Sequence, residues 1–246
     1  MDPLAEKYYP INPYAYVANN PIVFIDPDGK QIVGVTRSDA RKMHRDLNTM
    51  FGDEQFDQFR SLITRSGTTF DKIDDSALES ALEGLEGDNL ALAQMVAGAI
   101  NSDDIHKIEF VSGDFTSSEG ASAFRDYMNS QQDGFGDSSL TPDGSLSVGW
   151  IKHYGDGLNI PTKNGSHSFV VSQSKGIDRA IISGHEVFGH GIPSARGLSH
   201  AENNANAVRA ENLIRRVVGL PQKDGSQHGG YREGHITKPY SLPIIK

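Results

Sequence analysis

From Thr36 to about residue 100 the chain is written almost entirely in helical period, and nothing else in it constrains the fold as strongly. Four segments, "SDARKMHRDLNTMF", "DEQFDQFRSLI", "DSALESALEGL" and "DNLALAQMVAGAI", each carry an Asp or Ser near the start and apolar residues three and four apart. Strand signals come later. "KIEFVSG" predicts a strand, residues 121–128 a helix, residues 129–147 a long polar loop, and "SVGWIKHY" and "HSFVVSQS" two further strands. Helices are then predicted over residues 178–190 and 201–218, and an irregular Gly-, His- and Pro-rich end from Gln222. Helices and strands that cluster rather than alternate describe an α+β fold, mostly helical with a small mixed sheet.

Residues 1–30 differ from the rest. They are rich in Tyr, Pro and Asn and end in "NNPIVFIDPDGK", turn chemistry around a short apolar strand at residues 22–25. Such a segment cannot bury a core of its own, so it reads as the last strand of something larger.

Composition narrows the chemistry. The 246 residues include no cysteine, which excludes disulfides, thiolate zinc sites and cysteine nucleophiles. A metal must therefore be held by His, Asp or Glu. A formal charge of −9 disfavours a phosphate-binding surface, and so a nucleic-acid partner. No apolar run approaches the roughly 18 residues of a membrane span. The start, "MDPLAEKYYPINPYAY", has no basic region followed by an apolar block, so no signal peptide is expected and export would need another device.

The stretch "SGHEVFGHGIP", residues 183–193, concentrates the candidate chemistry. Two histidines one helical turn apart can share a zinc ion, and a glutamate beside the first can act on bound water. Here, however, His185 and His190 are five apart, not four. At 100° per residue an i,i+5 pair diverges by about 140° on a regular helix. A single π-turn, bonded i→i+5, would bring both onto one face, and Gly189 tolerates such a distortion. Gly191 and Pro193 are expected to end the helix. Glu186 is then the candidate general base.

A third ligand is sought on the helix "HAENNANAVRAENLIRRVVGL". Glu211 falls among Ala207, Ile214 and Val218, where a carboxylate is costly unless paired or bound to metal. An i,i+4 salt bridge to Arg215 is the alternative. His200 and then Glu202 are the other candidates. His153 and His167 read as surface residues on strands. His228 and His235, in "HGGYREGH", suggest a substrate loop with Tyr231 as a possible oxyanion donor.

Two resemblances add expectations. "DPLAEKYYPINPYAYVANNPIVFIDPDG" resembles the closing segment of the Rhs-repeat-associated core of polymorphic toxins, with Asp26, Pro27 and Gly29 matching its turn. That family encapsulates a variable C-terminal toxin in a β-rich shell and releases it by self-cleavage near the turn. The family often has an apolar residue after the glycine, where this chain has Lys30. The resemblance implies the end of an Rhs shell at residues 1–30 with residues 31–246 carrying the activity, delivery into a target cell by a specialised secretion system, and a cognate immunity protein. Residues 185–190 resemble a His-Glu-x-x-Gly-His variant of zincin-like peptidases, and the 21 residues from His190 to Glu211 resemble the gluzincin spacing. Together these imply a Zn2+ peptidase toxin with His185, His190 and Glu211 as ligands, a protein or peptide substrate, and "HSFVVSQS" as the substrate-pairing edge strand. A zincin relic that binds without turnover and a nuclease toxin are the alternatives.

Overall fold

A computed structural model describes residues 31–130, 145–153, 155–226, 228 and 236–245. The chain divides between Lys30 and Gln31, and every described residue belongs to the second unit. The expected Rhs-core segment, the strand at residues 22–25, most of the polar loop, Tyr231 and His235 lie outside the described residues.

The unit is α+β. Strand β1 (Ile32–Gly34) leads into α1 (Arg37–Met50), followed by a 3-10 turn and α2 (Asp57–Leu62), a short hairpin of β2 (Arg65–Ser66) and β3 (Thr69–Phe70), then α3 (Asp75–Leu82) and α4 (Gly87–Ile100). After β4 (Ile105–Val111) come α5 (Ser118–Ser130), α6 (Val148–His153), β5 (Gly157–Thr162) and β6 (Gly165–Val171). The last stretch is α7 (Gly176–Gly184), a π-helix over His185–Gly191, α8 (Ile192–Ala195) and α9 (His200–Val217).

Two helices open on capping boxes that lie just ahead of the segments read as helical. Thr36 and Asp39 form a reciprocal box at the start of α1, and Ser199 and Glu202 form one at the start of α9. Helix α1 then buries Ala40, Met43, Leu47 and Met50, three and four apart, against the sheet and α7. Helix α4, apolar nearly all round, is buried along most of its length.

The sheet is mixed, in the order β2-β3-β1-β4-β6-β5. Strands β1, β4 and β6 run parallel, and β3 and β5 pair antiparallel to them. Alternation along β4 separates two cores. Ile108 and Phe110 join the large cluster with α1, α4, α7 and α9, whereas Val111 joins Phe124, Ile151, Phe169 and Val171 beneath α5 and α6. No helix of the described residues is long and apolar enough to cross a membrane.

Four local expectations fail. "SVGWIKHY" forms α6 rather than a strand, because Val148 and Ile151, three apart, share the burial beneath the second core while Lys152 and His153 face solvent. "HSFVVSQS" supplies most of β6, an interior strand and not an edge. The edge is β5, whose "GLNIPT" shows no β-rich signature but pairs antiparallel with β6 over six residues. His167 is buried at 1% exposure, 3.4 Å from the Glu109 carboxylate and stacked on Phe169. Finally, Gly191 and Pro193 do not end the helix. It runs on through α8 and stops at Gly197, which has φ +65°. Pro193 has no N–H for the Gly189 carbonyl, and Asn206 Nδ2 donates to that oxygen instead at 2.6 Å.

Candidate metal centre

Residues His185–Gly191 form the π-helix that the five-residue spacing requires. The wider turn brings the His185 and His190 rings onto one face, with centroids 4.9 Å apart at 75°. Gly189 serves a purpose the sequence did not suggest. A Cβ there would meet Ala207 Cα of α9 at 2.7 Å, so its absence lets the two helices touch backbone to backbone.

Helix α9 sets both rings. His185 Nδ1 is 3.1 Å from Glu211 Oε2, and His190 Nδ1 is bonded to Asn203 Oδ1. With Nδ1 engaged on each ring, Nε2 is the nitrogen left to ligate, the arrangement by which a neighbouring acceptor fixes a ligand's tautomer. The third ring is His228. Its centroid lies 4.9 Å from that of His185 and 5.2 Å from that of His190, and one ligand atom from each of the three lies within 4.8 Å of the others. Three convergent imidazoles with no cysteine suit zinc, which takes three protein ligands in catalytic sites and keeps a fourth position open.

Glu211, expected among the ligands, instead stands behind them. Its carboxylate is buried and shared by His185, Arg215 Nε at 2.8 Å and Lys223 Nζ at 2.9 Å. Burial raises its pKa, but His185 and Lys223 outweigh that and hold it well below the usual carboxylate range. Both readings of Glu211 thus touch the structure: the bond to Arg215 forms, and so does a link to the histidine site, one shell further out. His200 sits exposed in the first turn of α9, and Glu202 is spent on the Ser199 cap.

Glu186 is buried beside the rings at 5% exposure, and among the described residues its Oε2 has no hydrogen-bond partner. It packs on Gly157, where any Cβ would collide with the carboxylate. Burial pushes its pKa up to about 7, with His185 lowering it and Glu211 raising it. A buried carboxylate poised near neutrality beside a cluster of convergent nitrogens is the profile of an acid–base group. The imidazoles divide. Burial, then the neighbouring rings, lowers His190 and takes His228 to about 3, leaving both neutral and their lone pairs available. Burial opposes charge on His185 too, but the Glu211 bond and the nearby carboxylates raise it on balance.

His228 is the ring of this cluster that sequence reading placed in a substrate loop and not with the helical pair. Its flanking "HGGYREGH" gives no periodicity to place it, and only the presence of His among glycines hinted at more than a linker. The Asn203 contact was likewise invisible, since nothing in sequence joins position 203 to position 190.

Compared with protein families, curated proteins and solved structures, the chain finds no match.

Proposed function

We propose that residues 31–246 are a zinc-dependent peptidase, with His185, His190 and His228 as ligands and Glu186 as general acid–base. The observation that carries this reading is the meeting of three rings, two from a π-turn and one from the segment after α9, beside a buried carboxylate with an unpartnered oxygen. When bound, zinc supplies Lewis-acid chemistry, polarising a carbonyl and acidifying water. Glu186 takes a proton from the attacking water and returns it to the leaving amine. Burial against Gly157 keeps solvent from that carboxylate, and Glu211 and Asn203 hold the His185 and His190 rings in orientation. Strand β5 favours an extended peptide as substrate: it ends the sheet, and its Gly157 touches Glu186, so a chain paired along its outer side would pass the base.

The Rhs-like character of residues 1–30 supports a toxin role, with delivery into a target cell and a cognate immunity protein. The net charge of −9 weighs against a nuclease.

Glu186→Gln tests the mechanism, because it keeps shape and removes the proton acceptor. Zinc content should stay near one per chain while cleavage of a denatured protein substrate falls by roughly 10²–10⁴. A variant that holds zinc and cleaves at the parent rate would overturn the acid–base role. Zinc binding in the parent without peptide cleavage would favour a binding module.

A further inference from the structure

We propose that Asn212 is the positioning residue for the third ligand, holding in place the segment that brings His228 to the two helical histidines. The inference rests on the three-histidine zinc site proposed above and assigns how that site is completed.

Asn212 is fully buried on α9, one residue beyond Glu211. Its side chain is spent on backbone. Nδ2 donates to the Lys223 carbonyl at 2.8 Å and to the Pro239 carbonyl at 2.9 Å, while Oδ1 accepts from the Lys223 amide at 2.7 Å. One amide thus pins two points of the chain that lie on either side of His228 in sequence.

Between Lys223 and His228 the described residues carry bonds of their own. Asp224 Oδ1 accepts from Ser226 N at 2.9 Å in an Asx turn. Gly225 adopts φ +77° against Ile236, and its carbonyl accepts from His228 N at 3.2 Å. Lys223 also reaches Glu211 with Nζ, so the residue that anchors this path is tied to the group that orients His185. A ring on a chain without such anchors would lose conformational freedom on binding metal, and that cost would weaken the site. The Asn212 clasp removes much of it in advance.

The four variants needed are Asn212→Ala, Asn212→Asp, His228→Ala and Asn212→Ala/His228→Ala, in the full chain. Each is titrated with zinc against a competing chelator and with cobalt(II), followed by visible absorption. In the parent background, Asn212→Ala should weaken zinc binding by roughly 10–100-fold, the range for losing a group that orients a ligand. Its cobalt spectrum should shift toward that of His228→Ala. In the His228→Ala background, Asn212→Ala should change affinity less than twofold, because the ring it positions is gone. Asn212→Asp, with the same size and without the two amide donors, should weaken binding in the same sense and carries the test if the alanine variant does not fold. Parent-like zinc affinity and cobalt spectrum in a folded Asn212 variant would overturn the proposal. So would an equal fold-loss in both backgrounds, or a His228→Ala protein that binds zinc as the parent does. No peptide enters the assay, so a protein that binds zinc in this pattern but cleaves nothing would fail as a peptidase while the clasp stands.

Discussion

At Gly189 a single missing Cβ decides whether α9 can reach the histidines, because Ala207 Cα would stand 2.7 Å from it. Gly189→Val should therefore push α9 away from the π-helix and disturb Asn203 and Glu211 together. We expect about 1–3 kcal/mol of lost stability, typical of overpacking, together with weaker zinc binding, read by urea unfolding and chelator competition. Gly113→Val, at an open position, is the control and should change neither. Glu211→Gln keeps an acceptor for His185 but removes the charge shared by Arg215 and Lys223. Zinc affinity should drop by about 10–100-fold, with Glu211→Ala lower still; parent affinity in both would remove Glu211 from the site. At this scale the sequence was most legible where partners are close along the chain. The His185–His190 pair and the buried position of Glu211 followed from helical geometry, whereas His228 and Asn203 depend on chain paths that no local period encodes.

Elements were legible wherever caps and period agreed. The apolar stripe of α1 and the need for a π-turn at residues 185–191 could be read from spacing, whereas the boxes at Thr36 and Ser199 lie just ahead of the segments read as helical. The failures share a cause, which is tertiary pairing overriding weak local preference. Strand β5 contains Gly157 and Pro161 and exists because β6 offers it a partner; α6 is only six residues long, too short for period to show. Helices α1 and α7 are joined by a contact that sequence separation concealed. Arg179 Nε and Nη2 grip the Asp46 carboxylate at 2.6–3.0 Å, and Ser183 Oγ adds a bond of 2.7 Å. Asp46 is 1% exposed, so Asp46→Ala strands a largely buried guanidinium and should cost about 3–5 kcal/mol. Replacing both partners by Leu and Met should recover most of that. Urea unfolding of the two variants checks the ordering, and equal losses would mean the pair is not coupled.

For the whole molecule, acid is the informative stress. Burial lowers His106 to about 4, against 6.5 when the chain is unfolded, with Asp104 raising it and Arg196 lowering it. Below pH 6.5 the unfolded chain takes up a proton that folded His106 refuses. Stability attributable to this group is therefore lost as pH falls from about 6.5 and levels off near 4, by at most roughly 3 kcal/mol. Glu186 at about 7 works in the opposite direction, so the comparison is between variants. In zinc-free protein, His106→Gln should show a shallower loss of unfolding free energy between pH 6.5 and 4 than the parent; superimposable curves would exclude the effect. The order of the ligands along the chain has a further consequence, for biosynthesis. Two lie before α9 and one after it, and the last is moored partly by Pro239. On the zinc site proposed above, a growing chain that has released residues 185–190 from the ribosome would hold only a two-nitrogen, weak binding site. Strong metal capture must wait until residues 236–245 have been made and have docked on α9. Synthesis halted before residue 236 would leave the third ring without its Pro239 mooring.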